Sequence, residues 1–123
     1  MKSNDCSPRK ISTQDKIEGI WSWPPGERRI KDLAEFYRAF SDPTRLKIVL
    51  ALMEGELCNL DIAKIIGATP STVSHQLRLL RNMHLVRFRR EGRRVFYALD
   101  DQHVYSILKF AILHLEEERV RKE

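Results

Sequence analysis

Gly67-Ala68 lies between two short segments of helical periodicity, and a chain built this way has few folds open to it. Upstream, Asn59 serves as a cap, followed by Leu60, Ile62, Ala63, Ile65 and Ile66. The segment runs up to a glycine suited to the left-handed residue at a helix end. Downstream, Thr69 is a good N-cap and Pro70 a good first helical residue, after which Val73, Leu77 and Leu80 recur at i, i+4 and i+7. That stripe faces a core. The opposite stripe, Ser71, Ser74, His75 and Arg78, is short and polar near its start and cationic further on. Two helices joined by a glycine turn, the second carrying small hydrogen-bonding side chains in its opening turns, meet the requirements of a helix-turn-helix. A plain helical hairpin with a polar outer face has the same pattern.

The next segment separates these alternatives. Leu85 to Leu99 alternates apolar and basic residues around Arg90-Glu91-Gly92-Arg93, with Val86, Phe88, Val95 and Tyr97 available for one face. This predicts a β-hairpin with an arginine-rich tip, a wing whose Arg89, Arg90, Arg93 and Arg94 are placed for phosphates or a minor groove. Charge points the same way. Residues 71–94 hold seven Arg and one Glu, whereas the whole chain is only +5, so the remainder is close to neutral. Such a stripe is the electrostatic footprint of a double-stranded nucleic acid partner, with an ordinary solvated face as the alternative. The expected fold is mainly α with a β-hairpin wing, a winged helix-turn-helix over residues 30–119.

The flanks add limits. With 123 residues, 42% hydrophobic and 32% charged, the chain suits one soluble domain. Residues 1–29 lack periodicity and include Trp21-Ser22-Trp23-Pro24-Pro25-Gly26, which predicts an extended arm whose tryptophans dock elsewhere. A helix begins at Ile30 with Leu33, Ala34, Phe36, Tyr37 and Phe40 on one side. A second begins at Pro43 behind an Asp42 cap and stops at Glu54-Gly55. Residues 120–123 read as a tail. The opening Met1 to Asp5 has no apolar segment of a secretion signal, and no apolar run approaches the roughly 18 residues of a spanning helix, so a cytoplasmic chain without membrane contact is expected. Two cysteines exclude a dense disulfide framework. No nucleophile–base pair, glycine-rich phosphate loop or open metal site is visible, so neither an enzyme nor an organic small-molecule substrate is expected.

The last helix, from Asp100-Asp101 onward, is apolar on almost every side: Val104, Tyr105, Ile107, Leu108, Phe110, Ala111, Ile112, Leu113 and Leu115. A helix of that kind needs burial on two faces, and a chain this small supplies one, which implies a homodimer through this helix. Asp101, His103, His114 and Glu117 are all side-chain types that bind Zn(II). His103 and His114 face the same way but stand roughly 16 Å apart along the axis, too far for one ion. If two copies lie antiparallel, Asp101 and His103 of one helix come beside His114 and Glu117 of the other, giving one zinc per subunit. Asp101 and His103 converge only if Asp101 sits at the non-helical cap. Taken singly, each residue also has a plain role as cap or exposed polar position. A second, thiolate site would join Cys6 and Cys58, although two sulfurs are too few to close it.

These features together resemble the ArsR/SmtB family of bacterial metal-responsive repressors over residues 30–118. Ser41-Asp42-Pro43-Thr44-Arg45-Leu46 is similar to the family's second-helix opening, Glu56-Leu57-Cys58 to its pre-helix cysteine segment, and Ser74-His75-Gln76-Leu77-Arg78 to its recognition-helix core. Asp101-Gln102-His103 with His114 and Glu117 resembles the family's C-terminal-helix zinc site. The resemblance implies dimerisation through the N- and C-terminal helices and DNA contacts from Ser71, Ser74 and His75; Thr72, Gln76 and Arg78 on the same helix complete the expected DNA-binding set. Cadmium- and lead-sensing relatives carry Cys-x-Cys where Cys58-Asn59-Leu60 stands here, and use two arm cysteines where this chain has Cys6 alone. The implied function is a repressor that binds a pseudo-palindromic operator when metal-free and releases it on binding Zn(II), derepressing metal efflux or resistance genes. A Cd(II)- or Pb(II)-responsive thiolate sensor using Cys6 and Cys58, and a non-regulatory zinc-binding dimer, are the alternatives.

Overall fold

A computed structural model describes residues 25–122 of the chain, which divides into two units at Glu35/Phe36. The arm expected over residues 1–29, with Cys6, Trp21 and Trp23, lies almost wholly outside the described residues. Helix α1 (Glu27–Arg38) begins three residues earlier than the periodicity placed it, because the Gly26 carbonyl accepts the Ile30 amide at 3.0 Å and Glu27 suits the positive end of a helix.

In the larger unit, α1 gives way to a tight corner. Ser41 Oγ donates to the Arg38 carbonyl at 2.7 Å, and Asp42, in extended conformation, accepts the Arg45 amide at 2.9 Å to start α2 (Pro43–Leu52). Arg45 Nε reaches back to the Ala39 carbonyl at 3.0 Å across this corner. A two-residue strand, β1 (Leu57–Cys58), then leads into α3 (Asn59–Ile66). Gly67 adopts φ 72° and its amide bonds Ala63, the left-handed helix end expected there. Thr69 Oγ1 accepts the Thr72 amide at 3.1 Å and opens α4 (Pro70–Asn82).

Strands β2 (Val86–Glu91) and β3 (Arg94–Leu99) form the antiparallel hairpin, with Glu91 opposite Arg94 and Gly92 at φ 62° as the first residue of a two-residue turn. β1 adds to the free edge of β3, pairing Leu57 with Tyr97 and Cys58 with Phe96, in the sheet order β1-β3-β2. The core between the helices and the hairpin root is Ile48, Val49, Leu52, Ile62, Val73, Leu77, Leu80, Leu85 and Val86. Helix α5 (Gln102–Lys122) adds only Val104 and Leu108 to it. The architecture is a winged helix-turn-helix. Among the described residues, no helix is long and apolar enough to cross a membrane.

One ion pair ties the wing to the body. Arg89 on β2 lays its Nε and Nη2 on the Glu56 carboxylate at 2.9–3.0 Å, and its Nη1 meets Glu91 at 2.6 Å. Its guanidinium carbon stands 4.8 Å from the centre of the Phe96 ring. The bond from Arg89 is the main reason Glu56 ionises below its ordinary value of 4.5. The stabilisation from Glu56 is therefore complete above the unfolded value and disappears as pH falls through the lower folded one. Glu56→Gln should lower the urea midpoint at pH 7, and the difference from wild type should be smaller at about pH 3, below the ordinary value of 4.5, than at pH 7. A gap of the same size at both pH values would show that the Glu56 charge contributes nothing.

Candidate DNA-reading surface and metal-binding residues

Helix α4 is held by its inner stripe. Val73, Leu77 and Leu80 are wholly buried, which turns Ser71, Thr72, His75 and Arg78 to the outside. Ser74 and Gln76 are only half-exposed. The Gln76 Oε1 is buried with no hydrogen-bond partner among the described residues, so this side chain lies against the body rather than on the outward stripe. The Thr72 hydroxyl is occupied at the helix start, accepting from Thr69 Oγ1 at 2.9 Å.

Asn59 does not cap α3. Cys58 holds the extended cap conformation without a side-chain cap bond, and Asn59 is the first helical residue. Its side chain runs across to α4 instead, where Nδ2 donates to Ser74 Oγ and stands 3.4 Å from the Pro70 carbonyl. The local cap preference lost to a bond with a residue fifteen positions on.

The four wing arginines divide. Arg89 is taken up by Glu56 and Glu91, and Arg90 stands 5.7 Å from the Phe88 ring centre, with Arg81 of α4 at 4.6 Å from the same ring. Arg93 and Arg94 are exposed at the hairpin tip. They line, with Lys64, Pro70 and Ser74, a cavity of about 730 Å³ between the wing and the start of α4. Three cations against one carboxylate, Asp61, leave the rim of this otherwise largely apolar concavity net positive and attractive to a phosphate backbone. Glu56 and Asn59 are the participants that sequence reasoning missed. A carboxylate thirty-three residues from its arginine leaves no local pattern.

The four candidate metal ligands sit at the two ends of α5. Asp101 directly precedes the helix, and its Oδ1 accepts the amides of His103 at 2.9 Å and Val104 at 3.1 Å. Its Oδ2 stands 3.4 Å from His103 Nδ1, so the cap geometry brings carboxylate and imidazole to one place. The Val104 amide is the main cause of an Asp101 pKa below the usual value, only partly offset by burial, with His103 lowering it further. His114 and Glu117 are exposed near the other end. Among the described residues of one chain, no three His, Cys, Asp or Glu side chains come together. Each end of α5 thus offers two donors. Cys58 is buried, 9% exposed, where β1 meets α3, and Cys6 lies outside the described residues.

Residues 42–87 match the model of the bacterial regulatory protein, arsR family. A cadmium resistance transcriptional regulatory protein CadC homolog of Staphylococcus aureus is 47% identical over 87 residues, covering 70% of this chain and 72% of that protein. The solution structure of apo-NmtR superposes with a TM-score of 0.69 at 35% identity, covering 92% of this chain and 89% of that one. The homodimeric winged helix-turn-helix DNA-binding domain of Mb0332 from Mycobacterium bovis, described as a possible ArsR-family regulator, gives 0.69 at 25% identity, covering 83% and 96%. The helix-turn-helix, the wing and the extent of this identity establish that the chain belongs to the ArsR/SmtB family of bacterial regulatory proteins.

Proposed function

We propose that this chain is a homodimeric, metal-sensing transcriptional repressor. The metal-free dimer binds operator DNA through α4 and the wing, and Zn(II) held between subunits lowers that affinity, releasing metal efflux or resistance genes. The observation that carries the reading is the pair of incomplete donor sets on α5: Asp101 Oδ2 beside His103 Nδ1 at one end, His114 and Glu117 at the other. An antiparallel arrangement joins Asp101 and His103 of one subunit to His114 and Glu117 of the partner subunit. The apolar side chains exposed between them support that contact: Phe110 (65%), Ile112, Leu113 and Leu115 (64%).

Two nitrogens and two carboxylate oxygens suit tetrahedral Zn(II), and four protein donors leave no position open for hydrolysis. When bound, the ion supplies a bridge between the start of one α5 and the end of the other. The rest belongs to the protein. Release follows only if the bridged dimer sets its α4 helices out of step with successive major grooves, about 34 Å apart, and by reciprocity DNA then weakens zinc binding equally. A coupling of about 3 kcal/mol corresponds to ~150-fold loss of DNA affinity.

His114→Gln should leave operator affinity of the metal-free protein within about twofold and abolish release by zinc in a gel shift. Release by the variant at saturating zinc would remove His114 from the site. Arg93→Ala and Arg94→Ala should weaken operator and random duplexes alike and reduce the slope of log K against log salt by about 1 each, as lost phosphate contacts do. Loss confined to the operator would instead mean base reading by the wing.

The buried Cys58 and the relative named for cadmium resistance favour one second reading, a thiolate site that also uses Cys6. A Co(II) titration of the reduced dimer separates the two. Tetrahedral ligand-field absorption at one equivalent per subunit, without a sulfur-to-metal charge-transfer band, is expected, and a strong band would transfer the site to the cysteines.

A further inference from the structure

Asn59 is a costly residue to find at the first position of α3 if stability alone is considered. Its Oδ1 is buried without a hydrogen-bond partner among the described residues, a penalty that an apolar side chain would avoid. Its cap function has passed to Cys58, so the carboxamide is not consumed by the start of its own helix. Both of its recorded side-chain bonds run to α4, one to the Pro70 carbonyl at 3.4 Å and one to Ser74 Oγ. The Pro70 bond sets the orientation of the amide. A carbonyl only accepts, so the group facing it must be Nδ2, and the same Nδ2 then faces Ser74.

A serine hydroxyl has one proton to give and two lone pairs to offer, and its rotor ordinarily lets it act either way. When the hydroxyl accepts from an amide nitrogen it cannot direct its own proton at that nitrogen. The proton of Ser74 therefore points elsewhere. Ser74 is half-exposed; in its cavity Arg93 and Arg94 only donate, and the one carboxylate of the lining, Asp61, receives no bond from Ser74 among the described residues. The side of α4 that meets the groove is thus matched to acceptors, guanine O6 or thymine O4, where adenine and cytosine present amino donors.

We propose that Asn59, without touching DNA, is a specificity-determining positioning residue that fixes Ser74 as a hydrogen-bond donor toward an acceptor on a base edge. The inference rests on the DNA-reading role of α4 proposed above. It concerns which base is preferred, and not how tightly DNA is held.

Selection from a pool of random-sequence duplexes, with the metal-free full chain as bait, tests it. Wild type should show one position per half-site at which guanine or thymine is preferred about fivefold or more, and Ser74→Ala should lose the preference there alone. Asn59→Ala, which frees the hydroxyl rotor, should flatten that position. Asn59→Asp offers Ser74 only acceptors and so takes its proton, which turns the lone pairs outward. The preference should then move to the donor-bearing edges of cytosine or adenine. Aspartate is well tolerated in a first helical turn, so this variant keeps the test open even if Asn59→Ala folds poorly. In a Ser74→Ala background neither substitution should change that position. If both Asn59 variants weaken every duplex equally with base preferences unchanged, Asn59 is a brace between two helices and the proposal fails. If wild type enriches no sequence, the DNA-reading role itself falls first.

Discussion

The burial of one stripe of α4 is the constraint on which the remaining geometry depends. Val73, Leu77 and Leu80 have no exposed surface, and a helix that places three such residues at i, i+4 and i+7 has no freedom to rotate about its axis. A rotation of one residue would bring Ser74 into the core and Val73 into water, exchanging an unpaired hydroxyl for a lost apolar contact. The outward set Ser71, His75 and Arg78 is therefore a consequence of packing. The caps at Thr69 and Asp42 and the left-handed Gly67 determine where the helices begin and end, but the buried stripe determines what they show.

The charge distribution has to be read through the ion pairs. Seven arginines in residues 71–94 suggest a uniformly basic stripe, yet they do not all face outward as free charge. Arg89 is neutralised by Glu56 and braced on Phe96, and Arg87 Nη1 donates to the Asp100 carbonyl at 3.3 Å. Arg89 holds the wing to the body and Arg87 closes the hairpin root, which leaves Arg93 and Arg94 exposed at the tip and Arg78 exposed on α4. A wing fastened at its root and charged at its tip presents a fixed cation pair at a fixed distance from α4. Exposed ion pairs are individually weak, but the Glu56 contact is bidentate and shared with a ring, the geometry in which such pairs do count.

Most of the fold was legible because its signals are local. Proline after a cap, glycine at a helix end and apolar–basic alternation leading into a glycine turn each act within four or five residues, and the helix-turn-helix and hairpin follow from them. What was illegible acts at a distance. Asn59 has the composition of a cap and behaves as a cross-link, because a partner fifteen residues away is invisible to a propensity. Glu56 looked like part of a motif and proved to be the anchor of the wing. β1 is two residues long and exists only because β3 offers an open edge beside it. At the candidate metal site the sequence already contained the decisive condition, that Asp101 occupy the cap. The structure places it there, with its Oδ1 on two amides and Oδ2 left toward His103.

Helix α5 explains why sensing and assembly would be inseparable in such a molecule. Its own domain buries Val104 and Leu108, and from Lys109 to Lys122 the helix continues for roughly 21 Å without another buried residue. Paired charges at i, i+3 and i+4, such as Glu116 with Arg119 at 3.0 Å, add little to a helix of that length, which is marginal alone in water. The segment carrying His114 and Glu117 thus has little of its own domain to rest on. A ligand pair on a rigid, self-sufficient helix would bind an ion without consequence for the fold. In the proposed repressor, the same pair on a helix that leans on its partner would convert metal binding into a change in how two subunits lie together, and so in how far apart their α4 helices stand.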